Sequence, residues 1–406
     1  MSFFHKQDGI SKMNLKFVIA PDSFKESLTA LQVATLIEAG FREVFPAAQY
    51  IKLPLADGGE GTVQALIDAT GGMLRSARVI GPLREEIDAS YGYVEERKLA
   101  VLEMAAASGL CLVPSARRDP RVTTTYGTGQ LIRAALDAGA RRFIIGIGGS
   151  ATNDAGAGML QALGASLTDS AGREIGLGGA ELARLAHIDF SRLDNRLHRC
   201  SIDVASDVRN PLTGPNGASS IFGPQKGASP EAVSFLDKCL ERFAEILLAD
   251  AEKDVSEIPG AGAGGGIGAA FLALPNTQLR SGIDVIADAV ELTDIVQDSD
   301  LVITGEGRTD GQTMFGKTPF GVAKIAAAAG VPVINIAGSA STNSLVLHEH
   351  GIDAIFSAVR QPCSLEEAFE EAEMNLQITA RNVAAVLRIG MVQIVKRHPN
   401  VPPSFA

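Results

Sequence analysis

Residues 300–337, with the sequence DLVITGEGRTDGQTMFGKTPFGVAKIAAAAGVPVINIA, decide the fold class of this 406-residue chain. Two short apolar runs, 300–304 and 332–337, have the length and the β-branched content of buried strands. Between them, residues 321–329 have the composition of a helix. A strand, a helix and a second buried strand in this order indicate a parallel sheet covered by helices, and therefore an α/β protein.

The other end of the chain shows the same alternation, whereas the middle differs. Residues 15–20 (LKFVIA) predict a first buried strand, and between 75 and 104 two or three strands follow one another without a helix. We therefore predict a Rossmann-like parallel-sheet domain built from both chain ends and an inserted α/β domain. The predicted limits are 14–75 with 285–390, then 76–284, after an N-terminal extension of residues 1–13. Further predicted helices are 29–44, 62–69, 127–138, 155–163 and 365–387, and further strands are 50–55, 142–147 and 201–205.

The composition excludes several classes of protein. A formal net charge of -11 argues against a general nucleic-acid binder. The four cysteines lie far apart and no Cys or His spacing fits a zinc site, so we expect free thiols in a reducing compartment. Every apolar stretch is too short to span a membrane, and residues 1–13 lack the apolar run of a signal peptide. These features predict a soluble cytoplasmic protein without nucleic-acid or membrane partners.

Two loops after predicted strands combine acidic residues with lysine or glycine. In segment 20–27 (APDSFKES) the lysine could hold a phosphate or a carboxylate, although a helix cap beside a solvated lysine is the alternative. In segment 56–62 (ADGGEGT) the acids suit a bridging Mg²⁺ or substrate hydroxyls, and the alternative is a tight turn that complements the helix dipole. The candidate residues of these loops are Asp22, Ser23, Lys25, Asp57, Gly58, Gly59 and Gly61.

A third loop, 146–156 (GIGGSATNDAG), matches the G-x-G-x-x-A variant of the dinucleotide fingerprint, which would support a dehydrogenase. Polar side chains crowd this turn, however, and no acid ends a following strand in the expected place. A cradle for a phosphate or for the substrate explains the loop better. Its candidate residues are Gly148, Gly149, Ser150, Thr152 and Asn153.

Segments 205–227 and 259–268 add an acid, cations and a glycine run. Asp207 ends a predicted strand, and Arg209 and Lys226 follow it, although an Asx turn in a Pro/Gly-punctuated loop is the alternative. The run PGAGAGGGIG could cover a triphosphate or be a flexible connection. Its candidate residues are Gly262, Gly264, Gly265 and Gly266.

Segment 304–318 contains the P-loop pattern G-x-x-x-x-G-K-[ST] letter for letter. We do not interpret it as a P-loop, because the strand ends well before Gly311 and because Pro319 stands where the P-loop helix should already be running. The residue types still suit phosphoryl transfer, with acids for Mg²⁺ and cations for phosphate. The candidates are Glu306, Arg308, Asp310 and Lys317.

Together these segments indicate phosphoryl transfer. That reaction needs positioning, a metal ion, cationic groups and a base or hydrogen bond for the attacking hydroxyl. Histidine is absent from all these segments and no G-x-S-x-G elbow occurs, which weakens hydrolase and hydride-transfer interpretations.

Matching stretches from about residue 15 to 387 resemble the type 1 glycerate kinase family of bacteria. They are APDSFKESL, PLADGGEGTVQAL, TTTYGTGQLI, IGIGGSATNDAGAGMLQALGA, NPLTGPNGAS with FGPQKGA, PGAGAGGGIGAA and ITGEGRTDGQTMFGK. The resemblance implies a two-domain α/β enzyme that phosphorylates D-glycerate with ATP and Mg²⁺ in an interdomain cleft. Members of this type are taken to yield 2-phosphoglycerate.

The chemistry of the side chains suggests roles for the candidates. Asp207 or Asp57 would accept the hydroxyl proton, Lys25 is a further catalytic candidate, and Glu306 and Asp310 would hold Mg²⁺. Substrate-binding candidates are Asp22, Ser23, Arg308, Lys317, Ser150, Thr152 and Asn153, and the glycines named above are candidates for ATP binding. An NAD-dependent hydroxy-acid dehydrogenase and a non-catalytic glycerate sensor are the alternatives, and homodimer formation stays open.

Overall fold

The computed structural model describes residues 14–397 except Glu60 and Phe315, and for residues 394–397 it describes the backbone alone. The predicted extension, residues 1–13, lies outside the described residues. The chain divides into two compact units. The first unit combines the residues up to Asp57 with those from Ile286 onward, and the second unit is Gly58–Val285. The domain limits given above stay a prediction.

Regular elements alternate along most of the described chain. The strands are β1 (Lys16–Ile19), β2 (Gln49–Lys52), β3 (Met73–Ile80), β4 (Glu86–Val94), β5 (Leu99–Glu103), β6 (Arg142–Gly146), β7 (Ser166–Thr168), β8 (His187–Asp189), β9 (Ser201–Ala205), β10 (Thr277–Arg280), β11 (Leu301–Thr304), β12 (Arg308–Thr309), β13 (Val333–Ala337), β14 (Ser339–Ala340) and β15 (Ala354–Ser357). The α-helices are α1 (Ala30–Arg42), α2 (Thr62–Thr70), α3 (Ala105–Ser108), α4 (Tyr126–Asp137), α5 (Ala157–Ala162), α6 (Ala218–Phe222), α7 (Pro230–Ala251), α8 (Ala263–Ala273), α9 (Gly282–Ala289), α10 (Leu292–Gln297), α11 (Thr318–Ala328), α12 (Leu365–Glu370) and α13 (Ala372–Arg397).

The first unit is built on a parallel sheet with the strand order β15-β13-β11-β1-β2. Its central strands are mostly buried, and Phe17 on β1 and Ile303 on β11 have no exposed surface. Helix α1 begins with a capping box between Thr29 and Gln32, which satisfies its first backbone N–H groups. Gly40 in α1 lets α13 approach closely, because a Cβ atom there would lie 2.5 Å from the carbonyl oxygen of Gln377. The order of the strands reverses between β1 and β11, and ligands of open α/β sheets bind at such switch points.

The second unit is built on a mixed sheet with the order β10-β9-β6-β5-β4-β3. Strands β5, β6, β9 and β10 are parallel, and β3 and β4 form the antiparallel edge. The predicted run of strands without helices is therefore confirmed in β3, β4 and β5. The parallel strands of both sheets confirm the predicted α/β class.

Two sequence predictions about helices need correction. The long helix predicted over 365–387 is two helices, because Glu371 between α12 and α13 leaves helical geometry with φ −95° and ψ 6°. Helix α11 begins at Thr318 with Pro319 in its first turn, where proline is well tolerated because the missing N–H would have no partner. No helix among the described residues is long and apolar enough to span a membrane.

Candidate active site

Asp22 lies just beyond β1, beside the switch point of the first sheet. Its backbone N–H donates to the carbonyl of Gly305, which follows β11, at 2.8 Å. Its carboxylate accepts hydrogen bonds from the backbone N–H of Ser23 at 2.6 Å and from the hydroxyl of Thr318 at 2.7 Å. Since Thr318 is the first residue of α11, the side chain is held between the end of a strand and the start of a helix.

The environment of Asp22 favours its protonated form. Burial, followed by the negative charge of Asp57, raises its pKa from 3.8 to about 7, and the hydrogen bonds from Thr318 and Ser23 oppose this rise. Glu306 adds a smaller contribution in the same direction as Asp57. A carboxylate that titrates near neutral pH can take up a proton under physiological conditions.

Glu306 follows β11 and is buried in a network of hydroxyl groups. Its Oε1 atom accepts hydrogen bonds from Thr313 at 2.5 Å and from Thr309 at 3.1 Å, and its Oε2 atom accepts one from Lys317 Nζ at 3.0 Å. Asn335 on β13 donates to the Thr309 hydroxyl at 2.9 Å. Burial raises the pKa of Glu306, although the hydroxyl groups and the Lys317 ammonium oppose the rise.

This network argues against the predicted metal role of Glu306. Both of its oxygens already face donors, and a cation next to Mg²⁺ is unfavourable. Asp310 is more open, since its Oδ1 atom accepts the backbone N–H of Gln312 at 2.8 Å and its Oδ2 atom lies 3.5 Å from Arg308 Nε. Over the described part of the chain, no group of three or more His, Cys, Asp or Glu side chains could hold a metal ion.

The cationic candidates of the first unit are mostly exposed. Lys25 and Arg308 reach solvent beside the ends of β1 and β11, where an anionic ligand could meet them. Lys317 is partly buried through its ion pair with Glu306. The hydroxyl of Ser23 is turned towards the Asp22 carboxylate at 3.3 Å.

The segment 311–318 does not have the geometry of a P-loop. Strand β11 ends at Thr304, and the short strand β12 lies between it and Gly311. A P-loop follows its strand directly, so the strand argument holds. The argument from Pro319 was wrong, because α11 starts at Thr318 and includes the proline.

In the second unit, the loop after β6 exposes its glycines and buries its polar side chains. Gly148 and Gly149 are exposed, whereas Ser150 is 7% exposed and Thr152 and Asn153 are fully buried. Asn153 Nδ2 donates to the Ser219 hydroxyl at 2.9 Å. The three polar side chains therefore face the interior, and their role as substrate ligands stays a prediction. The exposed backbone of the two glycines is the part that a ligand could reach.

Lys226, one of the cations predicted to follow Asp207, was assigned no site role from the sequence, and the structure places it beneath this loop. Its side chain is 2% exposed, and its Nζ atom donates to the Ser150 hydroxyl at 2.8 Å and to the Thr152 carbonyl at 2.7 Å. Burial lowers its pKa from 10.5 to about 7, and the charge of the buried Asp154 opposes this shift. A lysine between glycines in a predicted loop gives no sign of burial, so the pattern could not reveal this role.

The dinucleotide interpretation of the same loop does not fit its geometry. The fingerprint needs a helix that begins within the glycine turn and places its N-terminus against a pyrophosphate. Strand β6 ends at Gly146, and α5 begins only at Ala157. The first turn of the helix is occupied internally, because the Asp154 carboxylate accepts the backbone N–H of Gly156 at 3.2 Å.

The glycine run before and within α8 packs against the loop after β6. A Cβ atom at Gly265 would lie 1.8 Å from the Thr152 carbonyl oxygen, and one at Gly262 would lie 2.1 Å from the Pro211 carbonyl oxygen. Gly264, Gly265 and Gly266 all have positive φ within α8. Close packing of backbone on backbone explains why these positions are glycine, and a role as a triphosphate cover stays a prediction.

The remaining candidates stand at the ends of strands. Asp207 follows β9 and is exposed, and its Oδ1 atom accepts the backbone N–H of Gly282 at 3.3 Å. Asp57 is half-buried and its charge acts on Asp22. Gly58 packs against Ala205, Gly59 is partly exposed, and Gly61 is exposed at the N-terminus of α2. Their catalytic and cofactor-binding roles stay predictions.

Comparison with known proteins covers nearly the whole described chain. A model of the glycerate kinase family matches residues 17–388. A glycerate kinase of Haemophilus influenzae is 55% identical over 92% of this chain and 99% of its own length. A glycerate 2-kinase of Escherichia coli K12 is 55% identical over 93% of this chain and 99% of its own. A crystal structure from Salmonella typhimurium LT2, provisionally assigned as glycerate kinase 2, superimposes with a TM-score of 0.87 at 56% identity and covers 93% of this chain and 99% of that one.

Proposed function

This chain belongs to the glycerate kinase family, and from that premise we propose that it transfers the γ-phosphoryl group of ATP to D-glycerate and forms 2-phosphoglycerate. It is a kinase that acts on an alcohol group, as its relatives at 55% identity are. D-glycerate and ATP are then its small-molecule partners. A cytoplasmic location and a homodimer accompany the proposal as predictions.

The observation that carries the proposal is the placement of Asp22. Transfer to a hydroxyl group needs an acceptor for its proton, and a carboxylate with a pKa of about 7 is well matched to that task. The side chain is oriented by Ser23 and Thr318, so little reorganisation is needed when the alcohol arrives. Asp22 therefore joins Asp57 and Asp207 as a candidate base, and its environment supports it best.

Asp57 supports this role through its charge. With Asp57 ionised, a proton on Asp22 is stabilised, which makes Asp22 a stronger base. Asp207 is exposed, and its Oδ1 atom accepts the backbone N–H of Gly282. The comparison of variants at these positions therefore separates the candidates.

Mg²⁺ is part of the proposal because it accompanies ATP and neutralises charge on the phosphates when bound. It needs only one or two protein carboxylates, since phosphates and water supply the other ligands. Asp310 is the better candidate for such a role, because its carboxylate has lone pairs beyond the one that accepts the Gln312 N–H and because its cationic neighbour, Arg308, is exposed and lies 3.5 Å away. Glu306 does not fit it, because its oxygens already meet two hydroxyl groups and an ammonium group.

The exposed turn at Gly148 and Gly149 is a candidate site for binding an anionic group of a substrate. Backbone N–H groups of exposed glycines can donate to an anionic ligand. The ammonium group of Lys226 lies behind this turn and adds positive potential when it is protonated. We expect the turn to contact an anionic group of a substrate and Lys226 to act as a positioning residue.

The experiment that tests the proposal is an assay of ADP release with D-glycerate, ATP and Mg²⁺, followed by phosphorus NMR of the product. We expect ADP release that depends on D-glycerate and a 2-phosphoglycerate signal. A 3-phosphoglycerate signal would retain the kinase and overturn the product. Reduction of NAD without ADP release would support the dehydrogenase alternative, and glycerate binding without turnover would support the sensor.

A further inference from the structure

A cavity of about 560 Å³ lies within the first unit, at the ends of β1, β11, β13 and β15. The segment Phe24–Ser27 forms one wall, and the turns at Gly307 and Gly338 contribute backbone. Residues of α12 and the start of α13 form the opposite wall. Because the cavity adjoins the reversal between β1 and β11, it occupies the position where open α/β sheets bind ligands.

The backbone around this cavity is closely packed and preformed. A Cβ atom at Gly307 would lie 3.2 Å from the backbone nitrogen of Lys25, and one at Gly338 would lie 2.5 Å from the Gly307 carbonyl oxygen. The turns after three strands therefore touch one another through glycine backbone. A preformed cavity of this kind binds a ligand without a large cost in chain ordering.

The side chains that line the cavity are largely apolar. They include Phe24, Ala358, Val359, Leu365 and Phe369. Phe24 is buried, whereas Phe369 is 36% exposed and Leu365 is 68% exposed, so an apolar surface borders the opening. A small polyhydroxylated acid gains little from such a lining, while a flat heterocyclic base gains apolar contact.

The charged residues of the cavity favour an anion at one side. Lys25 and Arg308 line it and are exposed, and Glu26 is the single acid among the described lining residues. Arg308 Nε lies 3.5 Å from Asp310 Oδ2, which leaves most of the guanidinium donors open to a ligand. Lys25 and Arg308 follow Asp22 and Glu306 closely in the chain, so the cationic side of the cavity belongs to the same two turns as the acidic groups.

We propose that this cavity binds the nucleoside of a purine nucleoside triphosphate, with the base against Phe24 and Phe369 and the phosphates near Lys25 and Arg308. The inference rests on the proposed function, which requires ATP, and it adds the place where the nucleotide binds. The volume suits a ligand of that size and exceeds what glycerate needs. D-glycerate must then bind elsewhere.

The test uses the full-length chain and two variants of the cavity wall. Phe369→Ala removes an aromatic contact, and Ala368→Trp fills the cavity from the half-buried face of α12. Phe235→Ala, which removes a comparably exposed aromatic residue from α7, and Ala328→Trp, on an exposed position of α11, are the matched controls. Circular dichroism and urea unfolding verify that each variant is folded.

Binding of the fluorescent nucleotide 2′/3′-O-(N-methylanthraniloyl)-ATP and the two Michaelis constants give the result. We expect both cavity variants to weaken nucleotide binding and to raise KM for ATP by about tenfold or more, with KM for D-glycerate within about twofold of wild type and both controls unchanged. A rise in KM for D-glycerate with unchanged nucleotide binding would assign the cavity to the acid and overturn the inference. Unchanged binding of both ligands in folded variants would overturn it as well.

The binding measurement also separates this inference from the proposed function. Nucleotide binding needs no turnover, so it reports on the cavity even if D-glycerate is not phosphorylated. Lys25→Ala and Arg308→Ala should weaken the binding of ATP more than that of adenosine, because they remove charge that only the phosphates meet. An equal loss for both ligands would overturn the assigned orientation.

Discussion

Asp22 in the first unit and Lys226 in the second have pKa values that shift in opposite directions and reach nearly the same value. The pKa of Asp22 rises from 3.8 to about 7, and that of Lys226 falls from 10.5 to about 7, with burial as the largest cause in each. The surroundings differ. Asp22 is half-buried beside other acids, while Lys226 is sealed under a loop and bonded to a hydroxyl and a carbonyl group.

The difference in surroundings indicates a catalytic role for Asp22 and a structural role for Lys226. A half-buried carboxylate near other carboxylates can exchange a proton with a bound alcohol, because the hydrogen bonds from Thr318 and Ser23 do not fully offset its burial and the charge of Asp57. A buried amino group with two fixed partners holds a loop in place, and a substrate cannot reach it. The same physical effect, desolvation, thus produces a candidate base in one unit and a positioning group in the other.

The largest expected effect breaks the comparison at Asp22. Asp22→Asn keeps the shape of the side chain, but its amide nitrogen replaces one of the two acceptor oxygens and the amide cannot accept the proton, so we expect kcat to fall by about 10²–10⁴-fold. Asp207→Asn, the matched change at the exposed candidate, should retain kcat within about tenfold. The assay is steady-state ADP release at saturating substrates. Near-normal turnover in Asp22→Asn together with a large loss in Asp207→Asn would move the base to Asp207.

The next prediction concerns the packing of Gly265 in α8 against the loop after β6. Gly265→Ala places a methyl group where the Thr152 carbonyl oxygen lies 1.8 Å away, at a residue with φ 77°, so we expect a loss of roughly 3 kcal/mol or more in the free energy of unfolding. Gly61→Ala shares a positive φ of 90° but meets open space, and its loss should stay near 1 kcal/mol by order of magnitude. Urea denaturation compares the two. Equal losses would mean that backbone conformation, rather than packing against the loop, fixes glycine at 265.

A third prediction concerns the partners of Lys226. Lys226→Met keeps most of the volume but leaves the Ser150 hydroxyl and the Thr152 carbonyl without their donor, so we expect a loss of about 2 kcal/mol near pH 7. In wild type the unfolded chain binds a proton at this lysine between about pH 7 and pH 10 while the native chain does not. The free energy of unfolding of wild type therefore rises with pH over that range relative to that of Lys226→Met. The destabilisation caused by the substitution should accordingly grow from pH 7 to pH 10. A loss that stays constant across the range would contradict the buried, neutral lysine.

A fourth prediction concerns Asp22 and the pH dependence of the free energy of unfolding. Between about pH 4 and pH 7 the native chain retains a proton on Asp22 that the unfolded chain releases, so the stability of wild type declines with rising pH relative to Asp22→Asn. We expect Asp22→Asn to be nearly as stable as wild type at pH 4 and to become progressively more stable than wild type as the pH rises to 8. Thermal unfolding at a series of pH values measures the difference. A variant that is less stable at pH 8 would show that the Asp22 charge is satisfied in the native state.

Much of the fold could be predicted because its strands are short apolar runs with clear ends. Strands β9 and β11 illustrate this, because periodicity and length predicted the limits of both strands to within one residue. The break at Glu371 could not be predicted, because the residues on both sides favour a helix.

The site was predicted in outline but not in its details. Sequence placed Asp22, Glu306 and Lys317 on loops at strand ends, which follows from the rule for parallel sheets. It could not show that Glu306 is saturated by Thr309, Thr313 and Lys317, because those contacts depend on how the loop folds back. Nor could it show that Thr152 and Asn153 face inward, since a polar residue in a glycine-rich turn normally faces water.

The close approach of α1 and α13 at Gly40 has a consequence for synthesis on the ribosome. The core of the first unit needs Phe17 and Phe41 from one end of the chain and Leu376 and Ala380 from the other. All of Gly58–Val285 must be translated in between, which takes roughly 10 to 45 seconds at typical elongation rates. During that interval the strands β1 and β2 have emerged without β11, so their apolar residues remain uncovered. We therefore expect the apolar surface of these early strands to be open to aggregation until α13 has been synthesised.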